Sequence, residues 1–253
     1  MKDRASDVEV LVGVNPVLEQ LRTTPATVRR IFVASTAHGG ARKVVEAANT
    51  ARVPVVVEEP RRLARRAAGH VHQGVVAEIE PYRYLGWYDL LDLRPACVAA
   101  LDQVTDPRNL GAILRVADAA GVGALIVLEH RAAGITPVAA RAAAGAAATV
   151  PVARVTNLTR ALVELRDAGY GIVGLDAGGE ENLFGFRFPD PCVIVVGSEG
   201  RGLRPLVRGT CDFRVAVPMQ GAVSSLNVSV AAAVTFYERM RQRQIVDTPS
   251  RGC

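Results

Sequence analysis

Alternating strands and helices fill the chain from residue 95 onward, and this alternation constrains the fold more than any other feature. Short apolar segments that are typical of strands lie at residues 97–104, 124–128, 150–154, 171–175, 193–196 and 213–217. Helical segments lie at residues 110–120, 137–148 and 158–168, and a last helix is predicted from residue 225 to about residue 243. This order predicts an α/β domain with a largely parallel sheet over residues 95–253.

Residues 1–80 predict a second, smaller α/β domain. Asn15 and Pro16 are typical of a helix start, as N-cap and first helical residue. Strands are predicted at residues 31–34, 53–57 and 74–79, with helices at 42–51 and 61–68 between them. Residues 81–94 contain three of the five tyrosines and the only tryptophan, and we predict a linker there. Its aromatic rings suit stacking on bases or packing against a domain, and we favour packing.

The composition narrows the class of protein. The net charge of +5 permits a nucleic-acid partner and does not require one. No apolar run reaches the roughly 20 residues of a membrane-spanning helix, and the first ten residues are too charged for a signal peptide. The cysteines lack metal-ligand spacing, and Cys97 and Cys192 fall in apolar strands as buried thiols in a reducing cytosol would. We therefore expect a cytoplasmic protein with no membrane segment and no bound metal.

Three short motifs carry the functional signal. They read N-L-G-A-I-L-R at residues 109–115, G-S-E-G-R-G-L at 197–203 and P-M-Q-G-A-V-S-S-L-N-V-S at 218–229. The third precedes the last helix, which we expect Ser224 or Ser225 to cap, with free N–H groups that suit a polar or anionic ligand. A dinucleotide-binding Rossmann domain has its glycine-rich turn after the first strand. Here the turn comes late in the chain, which disfavours ordinary Rossmann enzymes.

Together the motifs resemble those of the SpoU (TrmH-like) family of RNA ribose 2'-O-methyltransferases, in the SPOUT superfamily. The matching pattern is N-x-G-x-x-x-R, G-S-E-G-x-G-L and P-M-x-G-x-x-S-S-L-N-V-S, in this order. The resemblance implies a C-terminal domain whose parallel sheet is tied in a trefoil knot, a bent S-adenosylmethionine in the knot loops, and a homodimer. The apolar residues Val228, Ala232 and Phe236 of the last helix would form the dimer contact or ordinary core.

The N-terminal segment carries a resemblance of its own. G-V-N-P-V-L-E-Q-L at residues 13–21 and H-Q-G-V-V-A at 72–77 are similar to the first and last elements of the SpoU substrate-binding domain, whose fold is like that of ribosomal protein L30e. This pairing most resembles the RlmB type, which implies 2'-O-methylation of a guanosine ribose in 23S rRNA. His72 has no partner cluster, and we interpret it as structural or RNA-facing.

The resemblance also implies which residues act. The catalytic set is Arg115, Asn109, Glu199, Ser225 and Asn227. The cofactor contacts are Gly197, Glu199, Gly200, Val217, Pro218, Met219, Ser225, Leu226 and Asn227. We expect Arg115 to hold a phosphate and stabilise the developing alkoxide, because an arginine is a poor literal base. Glu199 and Asn227 would hold the loops and the hydroxyl, or only brace the turn.

A basic helix face completes the prediction. Arg61, Arg62, Arg65 and Arg66 share one face of the predicted helix 61–68. Such charge runs are usually solvated surface, but beside an RNA-modifying domain we interpret these four and Arg201 as RNA contacts. The alternatives are a tRNA 2'-O-methyltransferase or a resistance-type rRNA methyltransferase of the same family, and, from another class, a non-catalytic RNA-binding protein.

Overall fold

The computed structural model describes residues 8–247, which divide into two compact units with a boundary between Arg83 and Tyr84. The charged N-terminal residues 1–7, the polar tail 248–253 and Cys253 within it lie outside the described residues. None of the described helices is both long and apolar enough to cross a membrane.

The first unit is a four-stranded sheet with helices packed on it. Its elements are β1 (Glu9–Val12), α1 (Val14–Thr23), β2 (Val28–Ala34), α2 (Gly40–Thr50), β3 (Val55–Glu58), α3 (Pro60–Arg66) and β4 (Val75–Ile79). The strand order is β1-β4-β2-β3, in which β2 and β3 run parallel and the other pairs antiparallel. The sequence analysis missed β1, a short edge strand with little buried surface.

The start of α1 differs from the prediction. Gly13 is the N-cap, with φ 101° and ψ 158°, and its N–H donates to the carbonyl of Val75 at 3.0 Å. Glycine adopts this backbone conformation readily, so the chain turns there and the helix begins at Val14. The prediction that Asn15 caps the helix is therefore wrong. Pro16 is the third helical residue, where a missing N–H costs no intrahelical hydrogen bond.

The second unit is built on a seven-stranded sheet whose strand pairs are all parallel. The strands are β5 (Cys97–Leu101), β6 (Ala124–Leu128), β7 (Val152–Val155), β8 (Gly171–Leu175), β9 (Glu181–Asn182), β10 (Cys192–Val196) and β11 (Phe213–Ala216), in the order β7-β6-β5-β10-β8-β11-β9. The predicted parallel α/β domain is confirmed. Strand β9 adds an edge to the sheet that the sequence analysis did not foresee.

Helices cover both faces of this sheet. They are α4 (Trp87–Leu93), α5 (Pro107–Ala119), α6 (Pro137–Ala143), α7 (Ala146–Thr149), α8 (Leu158–Asp167), α9 (Pro205–Thr210) and α10 (Val228–Asp247). Leu90, Leu162 and Val207, from α4, α8 and α9, share one core cluster with Val98 of β5. Ala99 follows Val98 on β5 and therefore faces the opposite side of the sheet. It is also fully buried, so neither face is open to water.

The aromatic segment packs onto the second unit from Tyr84 onward. Trp87 donates a hydrogen bond from Nε1 to Glu164 on α8 at 2.6 Å. The hydroxyl of Tyr84 accepts from the N–H of Ile135 at 2.9 Å, and the guanidinium of Arg154 lies 3.8 Å from the centre of its ring. These contacts agree with the packing interpretation of the aromatic residues.

The three described cysteines and His72 are structural in this fold. Cys97 and Cys192 are buried opposite each other on β5 and β10 as free thiols, with their sulfur atoms 3.9 Å apart, as expected of strand cysteines. Burial raises the pKa of Cys211 to about 12, so this thiol is protonated at neutral pH. His72 accepts a hydrogen bond at Nδ1 from the N–H of Gly74 at 3.1 Å, which fixes the turn into β4.

Candidate functional site

The glycine-rich turn at residues 197–203 follows β10 and closes on itself. Ser198 and Gly202 exchange two backbone hydrogen bonds, of 3.1 and 3.0 Å. Gly200 and Gly202 have φ values of 74° and 64°, in the left-handed region that favours glycine. A Cβ atom on Gly197 would lie 2.3 Å from the carbonyl carbon of Gly202. The close approach of the backbone to itself therefore requires glycine at residue 197, and the left-handed backbone conformation favours it at residues 200 and 202.

An ion pair with a buried carboxylate holds the exit of this turn. Asp102 follows β5, is fully buried, and accepts from the backbone N–H of Arg204 at 2.8 Å and from its Nε at 2.6 Å. Two charge-assisted bonds to one buried carboxylate fix the chain more firmly than neutral contacts would. The sequence analysis missed Asp102, although its place directly after a central strand was a usable signal.

A cavity of about 360 Å³ lies between the turn and the loop that leads into α10. Its walls come from the carboxyl ends of the strands, where α/β sheets bind ligands. Of the predicted cofactor contacts, Gly197, Glu199, Gly200, Val217, Met219, Ser225 and Leu226 line it, whereas Pro218 and Asn227 are not among the lining residues. Arg201, predicted as an RNA contact, lines it as well. The structure thus brings two distant motifs to one cavity.

Asp176 and Arg208 also line the cavity, and the sequence analysis missed both. Asp176 follows β8 and is only 7% exposed. Its Oδ2 lies 2.9 Å from Nε of Arg208, but the geometry of this ion pair leaves Oδ2 without a hydrogen bond. A buried carboxylate oxygen without a hydrogen-bond donor favours a ligand that brings a hydroxyl or an amine. With the apolar walls at Val196 and Leu226, this suits a ligand that is part apolar and part polar.

All three motifs meet at one carboxylate. Oε1 of Glu199 accepts from Nδ2 of Asn109 at 3.0 Å and also from Nδ2 of Asn227. Nδ2 of Asn227 further donates to Oδ1 of Asn109 at 3.2 Å. These residues lie at the start of α5, in the glycine-rich turn and immediately before α10. The contacts show the bracing that the sequence analysis considered for Glu199 and Asn227.

Asn227 has a second task, as the cap of α10. Its Oδ1 accepts from the N–H of Ser229 at 3.0 Å and from the hydroxyl of Ser229 at 2.6 Å. The prediction that Ser224 or Ser225 caps this helix is wrong, because the helix begins three residues later than expected, at Val228. The interpretation of Val228, Ala232 and Phe236 as core is correct, since all three are buried within this chain.

Arg115 is not part of this cluster. It is exposed on α5, six residues beyond Asn109 and therefore about 9 Å further along the helix axis. In the described part of the chain, no hydrogen bond or ion pair involves Arg115. The glycine of the same motif, Gly111, lets α5 approach α6 closely, since a Cβ there would lie 2.3 Å from the carbonyl oxygen of Ala139.

The arginines of α3 divide into two groups. Arg66 forms ion pairs with Glu58 at 2.9 Å and with Glu78 at 3.1 Å, and lies 3.8 Å from the centre of the Phe32 ring. These contacts give Arg66 a structural place in the first unit. Arg61, Arg62 and Arg65 are exposed on the same short helix.

Comparison with known proteins identifies the family. The model of the SpoU rRNA methylase family matches residues 96–237, and the model of the RNA 2'-O ribose methyltransferase substrate-binding domain matches residues 10–85. An uncharacterized tRNA/rRNA methyltransferase of Mycobacterium ulcerans is 46% identical over 249 residues, which cover 96% of this chain and 80% of that protein.

Solved structures agree with this result. The SpoU methyltransferase AviRb of Streptomyces viridochromogenes, in complex with AdoMet (S-adenosylmethionine), is 28% identical with a TM-score of 0.60, over 96% of this chain and 94% of AviRb. A TrmH-family RNA methyltransferase of Porphyromonas gingivalis is 26% identical with a TM-score of 0.61, over 93% and 90% of the two chains. With its motifs, its parallel sheet and these matches, the chain belongs to the SpoU rRNA methylase family.

Proposed function

We propose that this RNA methyltransferase transfers the methyl group of S-adenosylmethionine to the ribose 2'-hydroxyl of a guanosine in 23S rRNA. The convergence of three motifs on Glu199, beside a cavity at the carboxyl edge of the sheet, carries the proposal. The substrate-binding match over residues 10–85 supports a ribose substrate. The RlmB-like pairing of that segment with the motifs supports rRNA and guanosine.

The cavity is suited to the methyl donor. S-adenosylmethionine supplies an electrophilic methyl group on a sulfonium, so the protein's tasks are to bind, to align and to remove a proton. The backbone of Gly197, Val217 and Leu226 would hold the adenosine, and the apolar wall would cover it. The carboxylate of Asp176, in the cavity wall, would take a hydroxyl or the amino group of the donor. Alignment of the reacting groups alone contributes about 7–11 kcal/mol to such reactions.

Arg115 would act on the acceptor. Its guanidinium has no ion-pair partner among residues 8–247, and it is a strong bidentate donor to phosphate. We assign it to the RNA phosphate next to the target ribose, where its charge stabilises the alkoxide that forms as the proton of the 2'-hydroxyl passes to solvent water. Asn109, Glu199, Ser225 and Asn227 shape the loops between donor and acceptor.

Donor binding gives the first test of this proposal. We expect isothermal titration calorimetry to show S-adenosylmethionine binding to the folded protein without added metal or nicotinamide cofactor, because the cavity offers backbone and carboxylate contacts to it. NAD is the matched control, since the glycine turn does not have the dinucleotide arrangement. Absence of heat at millimolar donor would contradict the proposal.

RNA binding by the first unit gives a second prediction. Replacing Arg61 and Arg65 together with alanine should weaken rRNA binding and reduce the slope of log affinity against log salt by about 1.4–1.8, or about 0.7–0.9 for each lost phosphate contact. Filter binding at several salt concentrations measures this slope. Arg42→Ala with Lys43→Ala, on exposed positions of α2, is the control that removes the same charge. If the two variants have the same slope of log affinity against log salt, Arg61 and Arg65 contribute no more to RNA binding than the control residues, and the α3 face is ordinary solvated surface.

Other parts of the prediction remain proposals. The trefoil knot and the homodimer rest on the family resemblance, and the cytoplasmic location rests on the composition. For the dimer, Val230 and Tyr237 are each 47% exposed and lie seven residues apart on α10, on one face of the helix. Sedimentation velocity on the purified protein tests the dimer directly.

A further inference from the structure

A second cavity, of about 430 Å³, lies between the segment at residues 184–190 and the C-terminal part of α10. On α10, Ala231 is the last residue that lines the donor cavity and Arg239 is the first that lines this one, eight residues and therefore about 12 Å further along the helix. The two cavities are thus separate sites on one helix.

Hydrogen bonds from two side chains of α10 fix the wall of this cavity. The side-chain amide of Gln242 donates to the carbonyl of Phe186 at 2.8 Å and accepts from the N–H of Phe188 at 3.1 Å. Arg239, only 3% exposed, donates to the carbonyl of Ala96 at 3.1 Å and to Asp190 at 3.3 Å. Gln242 and Arg239 of α10 therefore hold the segment at residues 186–190 in place by hydrogen bonds, and the cavity is preformed.

The lining combines aromatic rings with an excess of positive charge. Phe184 is 57% exposed, although Phe186 beside it is buried in the core. Four arginines and one carboxylate line the cavity, namely Arg187, Arg239, Arg241, Arg243 and Asp190.

Two of the four arginines are neutralised nearby. Asp190 is close to Arg239, and Arg241 makes two hydrogen bonds, of 2.7 and 2.8 Å, to Glu238, which lower the pKa of that carboxyl group. Arg187 has no ion pair among the described residues. Among the described residues, Arg243 forms an ion pair only with Asp190, at 3.8 Å, and Asp190 also pairs with Arg239. A net positive rim beside an exposed ring is complementary to a nucleotide, because a base stacks on the ring and arginine binds the phosphate.

We propose that this second cavity binds a nucleotide of single-stranded RNA that flanks the methylated residue. The base would lie against Phe184, and Arg187 and Arg243 would contact the neighbouring phosphates. The inference rests on the proposed function, since it assumes an RNA substrate, and it adds a subsite about 12 Å along α10 from the donor cavity. Stacking on an aromatic ring is tolerant of sequence, so the subsite would add affinity rather than select the target.

Kinetics on a 23S rRNA transcript tests the subsite. Phe184→Ala, and separately Arg187→Ala with Arg243→Ala, should each raise the KM for RNA by about tenfold, in the range that base stacking contributes. The kcat and the affinity for S-adenosylmethionine should stay unchanged, because the donor cavity is remote. Arg160→Ala with Arg166→Ala, on α8, removes the same charge and should leave the KM for RNA unchanged.

Three results would overturn the proposal. An unchanged KM in both variants, with a wild-type protein that methylates the transcript, would reject the subsite and leave the proposed function intact. A change in sedimentation coefficient that accompanies the loss of affinity would make this surface a protein interface instead. A wild-type protein that neither binds nor methylates the transcript would reject the proposed function, and the subsite with it.

Discussion

Methyl transfer should fall by about 10²–10³ when Arg115 is replaced with alanine, the effect typical of removing one preorganised transition-state contact. Arg115 is exposed on α5 and outside the lining of the donor cavity, so the fold and the affinity for S-adenosylmethionine should change little. Single-turnover methylation of an rRNA fragment at saturating donor measures the loss. Titration of the same variant with S-adenosylmethionine measures the donor affinity that it retains.

Two further variants sharpen this result. Arg115→Lys keeps the charge but loses the planar fork that binds phosphate bidentately, so it should recover little activity. Arg108→Ala, an exposed arginine one turn before the motif's glycine on the same helix, is the charge-matched control and should keep near-normal turnover. Near-normal turnover by Arg115→Ala would remove this residue from the mechanism.

Gly197→Ala should abolish tight donor binding. The new Cβ would meet the backbone of Gly202 and Leu203 at 2.3 to 2.6 Å, and backbone atoms in a closed turn cannot move aside cheaply. Overpacking of this kind costs about 1–3 kcal/mol in folding stability, and opening the turn would displace the cavity wall. We therefore expect a lower urea midpoint and a donor affinity reduced by at least about tenfold.

Gly209→Ala provides the matched control. Gly209 lies in α9, and a Cβ atom there would meet nothing within 4 Å. This change should leave donor affinity unchanged and stability equal or slightly higher, since alanine is the better helix residue. Equal donor affinity in the Gly197 and Gly209 variants would mean that the turn does not form the donor site.

The sequence predicted the structure best where backbone conformation determines which residue types are present. Alternating apolar segments specify the parallel sheet because buried strands and amphipathic helices differ in period. The glycines at 197, 200 and 202 were visible as a turn, and the family pattern placed that turn with the 218–229 loop. Both now line one cavity.

Contacts between distant side chains could not be read from sequence. Asn227 was predicted as a catalytic and cofactor-contacting residue within the last helix. In the structure it precedes α10, caps it and donates a hydrogen bond to Glu199, because the helix starts later than its apolar pattern suggests. Asp102 and Asp176 follow buried strands, and only the folded sheet shows which arginine each one meets. The pairing of Arg66 with two glutamates is equally long-range.

Mapping of ribose methylation tests the central claim most directly. Unmodified 23S rRNA is incubated with the protein and S-adenosylmethionine and then hydrolysed in alkali, in which a 2'-O-methyl group blocks cleavage of the adjoining phosphodiester. The account predicts one new alkali-resistant linkage after a guanosine, present with the wild-type protein and absent with Arg115→Ala. A methyl group found on a base, or transferred to tRNA and not to 23S rRNA, would contradict it.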